Sequence, residues 1–139
     1  MSNGRFYESQ FEEATIELLR ESHWQYTFGD DIHRKYTDPL IEEDLRTFLA
    51  AQYKDKKLTA SEVDGIVANL RNTGGQNDYY ALQNTFLLYR DGYDFTYSDG
   101  RDNPFRLQYI DFEHPDHNIF RCVNQFVMEQ GRENRRPDI

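Results

Sequence analysis

Cysteine is almost missing from this sequence. Cys122 stands alone, so an internal disulfide is excluded and so is a zinc site built on several thiolates. Long apolar runs are missing too. No stretch approaches the roughly 20 apolar residues that a membrane helix needs, and no apolar segment follows a basic start. A soluble, unexported, cytoplasmic chain with no membrane partner is the expectation. Basic residues are in deficit, with 16 Lys and Arg against 25 Asp and Glu, a formal charge of −9. That balance argues against a general nucleic-acid coat, because affinity for phosphate comes from Lys and Arg. It does not exclude a nuclease, in which carboxylates hold metal and one face alone is basic. Gly74-Gly75 lacks the Lys-Ser/Thr of a phosphate loop, so nothing here reads as an ATP site.

What is abundant is aromatic. Ten Phe and ten Tyr make aromatics 15% of a chain whose apolar content is only 37%. Large half-buried rings can supply a core in such a chain. At 139 residues the expectation is one domain spanning 1–139. Charge is unevenly placed. Residues 8–17 and 38–44 are acidic, while Arg121, Arg132, Arg135 and Arg136 gather toward the C-terminus.

Periodicity puts helices first. Ser9-Gln10-Phe11-Glu12 reads as a capping box opening a helix at about 10–22, with Phe11, Ala14, Leu18 and Leu19 as its apolar face. Trp24, Tyr26 and Phe28 alternate, as in a short strand closed by Gly29. Asp38-Pro39 offers an N-cap and a first-turn proline to a second helix, with Leu40, Leu45, Phe48 and Leu49 as its stripe. Thr59-Ala60-Ser61-Glu62 is a second capping box. Val63, Ile66, Val67 and Leu70 follow it, and Asn72-Thr73-Gly74-Gly75 ends that helix. A fourth helix is expected over 78–90, carrying Tyr80, Leu82, Phe86, Leu87 and Leu88.

Strands follow. Tyr93, Phe95 and Tyr97 alternate, then Phe105, Leu107 and Tyr109. The run from Phe120 to Met128 reads as one long strand with Phe120, Cys122, Asn124, Phe126 and Met128 on its greasier side, broken at Gly131. Helices followed by antiparallel strands make an α+β arrangement. The alternation of the aromatics fits core rings better than base-stacking platforms.

The ending, Asn134-Arg135-Arg136-Pro137-Asp138-Ile139, is a turn that heads into a strand. It reads as a cut made after the first half of a metal-binding motif. An aspartate at such a strand start can reach a divalent metal, or can simply be a turn residue.

These segments together resemble the R (motor) subunits of type I restriction enzymes. The resemblance rests on 9–19 with Phe11-Glu12, on Trp24-Gln25-Tyr26, on Arg90-Asp91-Gly92-Tyr93 and on Tyr109-Ile110-Asp111-Phe112. It continues through Val123-Asn124-Gln125-Phe126 to the terminal six residues, so it covers nearly the whole chain in order. It implies an incomplete restriction-endonuclease-like fold of the PD-(D/E)xK family. Asp138 matches that family's catalytic metal-binding aspartate, and Glu12 a helix-1 acid near the metal.

Mg2+ is the implied cofactor. Double-stranded DNA and the methylation and specificity subunits are the implied partners, and ATP belongs to translocase domains absent here. Because no Glu-x-Lys follows Asp138, the polypeptide as it stands is expected not to cut DNA. The alternative is a non-catalytic DNA-binding or subunit-interaction module that keeps only the scaffold.

Two alternatives stay open at the residue level. Glu12 is either a capping-box acid or a metal ligand, and Arg135 and Arg136 are either solvated or DNA-facing. Asp111, Glu113, His114, Asp116 and His117 form a polar cluster. With Pro115 between the histidines, a turn between strands is the preferred reading over a transition-metal site.

Overall fold

The computed structural model describes residues 8–38, 40–74, 79–130 and 133–136. Pro39, Gly75, Gly131, Pro137, Asp138 and Ile139 lie outside them. The fold is α+β. Among the described residues the α-helices are α1 (Glu8–Glu21), α2 (Glu42–Gln52), α3 (Ala60–Gly74) and α4 (Tyr79–Asp91). The strands among them are β1 (Gln25–Phe28), β2 (Tyr93–Phe95), β3 (Phe105–Leu107), β4 (Arg121–Asn124), β5 (Met128–Gln130) and β6 (Glu133–Arg135). The chain divides after Asp38 and after Asn118 into two compact units.

The first unit holds α1, β1, β4, β5 and β6. Strand β1 lies parallel to β4, with Gln25 opposite Arg121 and Phe28 opposite Asn124. A parallel pair needs a long crossover, and here the whole second unit lies between the two strands in sequence. Antiparallel pairing was expected throughout. It holds for β2–β3 and for β5–β6, but not for β1–β4.

The long strand expected over 120–128 is broken instead at Gln125, whose φ of 54° is left-handed. The break shifts the side-chain phase. Cys122 and Asn124 point inward before it, and Val127, not Met128, does so after it. The segment beyond Gln125 is then free to pair as β5 with β6.

Helix α1 ends on a Schellman-type cap. Trp24 N–H reaches the Leu19 carbonyl at 3.0 Å and His23 N–H reaches that of Arg20 at 3.0 Å. His23 occupies the left-handed position, φ 68°, that glycine usually fills. This gives His23 a local backbone role. The apolar face expected on α1 is displaced. Ile16 is buried and Leu19 half-buried, whereas Phe11 (58%) and Leu18 (64%) are exposed.

Gly29 follows β1 at a point where backbones nearly touch. A Cβ there would lie 2.3 Å from the Gln125 carbonyl oxygen and 2.7 Å from that of Asn124. Arg34 clamps the loop beyond it. Its guanidinium stacks 3.5 Å over Phe126 and donates to the carbonyls of Asp38 and Val127.

The second unit packs α2 and α4 against α3 beside the β2–β3 pair. Its core matches the periodicity closely. Phe48, Leu49, Ile66, Val67, Leu70, Phe95, Tyr97, Leu107 and Tyr109 are all buried. Phe95 and Tyr97 meet edge to face at 5.0 Å, so these rings are core groups rather than stacking platforms.

Helix α3 opens on the capping box read from sequence. Thr59 N–H donates to Glu62 Oε1 at 2.9 Å and Glu62 N–H donates to Thr59 Oγ1 at 3.1 Å. Arg101 also binds Glu62. The N-cap expected at Asp38 fails, because α2 begins later, with Ile41 as cap. Asp38 accepts the Lys35 N–H at 3.1 Å instead.

The helix expected over 78–90 is α4. Tyr80, Leu82, Phe86 and Leu87 are exposed, and the packed face is Ala81 with half-buried Thr85, Leu88 and Tyr89. The sequence carries apolar residues on both sides of this helix, and the side with the small Ala81 is the one that packs.

Two outcomes follow. Gly29→Ala forces a methyl group onto backbone oxygens and should cost about 1–3 kcal/mol in urea denaturation. The Arg101 guanidinium, and then the Thr59 N–H, hold the Glu62 carboxyl down to about 2. A depressed carboxyl contributes stability that is fully present above its unfolded value of about 4.3 and lost as pH falls through the folded value. Acid titration of Glu62→Gln should therefore show a shallower loss of stability between about pH 4.5 and 2 than the parent.

Candidate functional site

The first unit contains an open cleft of about 670 Å3 lined by Ser9, Glu12, Ile16, Arg20, Tyr26 and Asn124, with Glu13, Glu17 and Glu21 at its walls. Helix α1 supplies one wall. Positions 12, 16 and 19 share its inward face by helical spacing, so the face that buries Ile16 also carries Glu12 inward. Strands β1 and β4 supply the rest. Their parallel register sets Phe28 and Asn124 side by side at the C-terminal ends of the two strands.

Asn124 is buried at 8% exposure and uses both ends of its amide. Its Nδ2 donates to Glu12 Oε1. Its Oδ1 accepts the Tyr26 hydroxyl at 2.8 Å. The Gln125 Nε2 donates to Glu12 Oε2 at 3.3 Å. Both Glu12 oxygens are thus held by amide donors. Amide donors to both oxygens fix the orientation of the carboxylate.

Helix α1 is already formed at Glu8, so Ser9 sits inside its first turn rather than before it. The Glu12 carboxylate engages β4 in place of a box with Ser9. A half-exposed, oriented carboxylate on a polar cleft suits a hard cation that takes oxygen ligands and keeps waters, such as Mg2+. Among the described residues, Glu12 joins no group of three ligating side chains. Its expected partner, Asp138, lies outside them.

Arg135 ends β6 and Arg136 follows it, and both are exposed. Arg136 lies 3.7 Å from Asp30, an exposed pair of the kind worth little.

Sequence reasoning missed Asn124 and Tyr26 as the carboxylate's supports. One signal was present. Asn124 is the only polar member of the set Phe120, Cys122, Asn124, Phe126 and Met128, and a polar residue on a buried face needs a partner.

In the second unit the polar cluster around Asp111 converges more tightly than Pro115 suggested. Pro115 opens a short 3-10 turn, Pro115–His117, that folds His114 and His117 back onto Asp111. Among the described residues no helix is long and apolar enough to cross a membrane.

Fold and cleft define the class: an α+β scaffold that presents an amide-tethered acid on an open, polar, largely acidic cleft. The chain belongs to the family described as the type I restriction enzyme R protein N terminus, whose model matches residues 5–139. It is similar to the type I restriction enzyme HindI endonuclease subunit of Haemophilus influenzae, at 26% identity over 142 residues. That match covers 95% of this chain, and the chain spans 13% of the length of that relative. No solved structure matches the chain.

Asn124→Ala should leave Glu12 without its nearer amide and Tyr26 without its acceptor. A loss of about 1–3 kcal/mol is expected in urea denaturation.

Proposed function

We propose that this chain is the amino-terminal part of the Mg2+-dependent DNA endonuclease module of a type I restriction R subunit, which in the intact protein cleaves double-stranded DNA. The observation that carries the reading is membership of the R protein N-terminal family across residues 5–139. Its setting is the cytoplasm, within a complex that includes methylation and specificity subunits.

Asp138 and Glu12 are assigned as metal-binding carboxylates in the intact domain. Glu12 supports the assignment by its position on the cleft wall, with both oxygens oriented by Asn124 and Gln125. A bound divalent ion would neutralise phosphate charge and lower the pKa of the attacking water. The chain's own part is to hold carboxylate oxygens at fixed positions before substrate arrives, which removes reorganisation from the reaction. Tyr26 contributes through Asn124, since its hydroxyl fixes which end of the amide faces Glu12. Arg135 and Arg136 are assigned to duplex phosphates, where they would set register without reading sequence.

A second reading is a subunit-interaction scaffold. The exposed Tyr79, Tyr80, Leu82 and Phe86 of α4 favour it, because adjacent exposed apolar groups commonly mark contact surfaces.

The deciding experiment uses the intact R subunit assembled with its partners on plasmid DNA. Asp138→Ala should abolish cleavage while ATP hydrolysis persists, and Glu12→Gln should lower cleavage by about tenfold to a hundredfold. Arg135→Ala and Arg136→Ala should each reduce the salt slope of duplex binding by about one. Cleavage undiminished in Asp138→Ala would overturn the catalytic reading and leave the scaffold reading in place.

A further inference from the structure

Asp111 sits at the centre of an arrangement that the proposed nuclease function does not use. Its carboxylate is 7% exposed in the second unit. Its Oδ1 accepts the backbone N–H of Glu113 at 3.0 Å and of His114 at 2.9 Å. Its other oxygen, Oδ2, faces three side-chain nitrogens at once. Gln52 Nε2 lies at 2.7 Å, His117 Nδ1 at 3.1 Å and His114 Nδ1 at 3.4 Å. The two imidazoles stack nearly parallel, 4.9 Å apart at 16°.

A carboxylate oxygen offers about two lone-pair sites. One is taken by Gln52, which leaves a single site toward which both histidines point the same ring atom. Two neutral N–H donors cannot share it well. One cation bound by the oxygen and by both imidazole nitrogens would satisfy all three groups, because each then acts as a lone-pair donor to the ion.

The spacing fits that description. Four ligands at about 2.0–2.1 Å from a tetrahedral ion lie about 3.3 Å from one another. Here the carboxylate-to-imidazole distances are 3.1 and 3.4 Å, and one ligating atom from each of the three residues lies within 4.8 Å of the other two. The supports that metal ligands usually carry are already in place. Gln52, at the end of α2, holds Oδ2, and two backbone N–H groups hold Oδ1. The histidines are partly exposed, so an ion can enter and a fourth position is open to water.

We propose that Asp111, His114 and His117 form a binding site for a divalent transition-metal ion of the zinc class. Two imidazoles and one carboxylate suit Zn2+ far better than Mg2+, which favours oxygen alone. Bound there, the ion fastens the turn at Pro115–His117 to the Asp111 segment and, through Gln52, to the end of α2.

The test uses untagged protein stripped with chelator and titrated calorimetrically with Zn2+, alongside thermal melts with and without the ion. One ion per chain should bind, and it should raise the melting midpoint. The double variant His114→Ala/His117→Ala should lose both effects. The variant His23→Ala/His33→Ala should keep them, and Gln52→Ala should weaken binding by about tenfold.

Circular dichroism of the apo variants checks that each has folded. Absence of Zn2+ binding in the folded parent would overturn the proposal. So would binding that persists unchanged in the folded His114→Ala/His117→Ala protein. Neither result touches the nuclease reading, whose proposed metal-binding residues are Glu12 and Asp138.

Discussion

The first unit depends on one contact, the grip of Asn124 on Glu12. Helix α1 has a weak apolar face, with Ile16 its one buried residue. Much of its outer surface is charged or greasy and exposed. A helix with so little to bury depends on polar contacts for its orientation, and among the described residues one of these is the hydrogen bond from Asn124 on β4 to Glu12 on α1. Asn124 can reach Glu12 because the parallel register sets it at the end of the pair, and because its other end is fixed by Tyr26. The left-handed Gln125 then turns a second amide toward the same carboxylate. Position and orientation of the acid both derive from Asn124 and Gln125.

How much of this was legible follows from what each segment buries. The second unit could be read closely, since α3 pairs a reciprocal capping box with an apolar stripe, and the alternating aromatics of 93–109 have one greasy side. Local propensity and tertiary packing agree there. The first unit was harder. Phe11 and Leu18 look like core residues, yet the inward face is the one with Glu12 and Ile16, because a polar bond, rather than apolar area, orients the helix. The break at Gln125 was invisible for a related reason. Alternation of apolar residues continues straight through it, and nothing in a glutamine announces a left-handed backbone. On α4 both sides carry apolar groups, so periodicity alone could not choose between them.

The candidate site shows the same division. The residue types and their family likeness pointed to Glu12, Arg135, Arg136 and Asp138, but only coordinates reveal that Glu12 is tethered by amides. The cluster at Asp111 went the other way. Pro115 looked like an obstacle to convergence, whereas a proline at the first position of a tight turn is what folds the chain back on itself. The two carboxylates thus sit in different chemical settings. Glu12 is held by the side-chain amides of Asn124 and Gln125, and Asp111 by the Gln52 amide and two imidazoles.

The proposed metal-binding pair is Glu12, held by Asn124, and Asp138. Anomalous scattering from Mn2+ in crystals of the intact R subunit tests it most directly. The account predicts one manganese peak coordinated by oxygens of both Glu12 and Asp138. A peak bound by Asp138 with Glu12 still closed on Asn124 and Gln125, outside coordinating distance, would contradict it and leave Glu12 a purely structural acid.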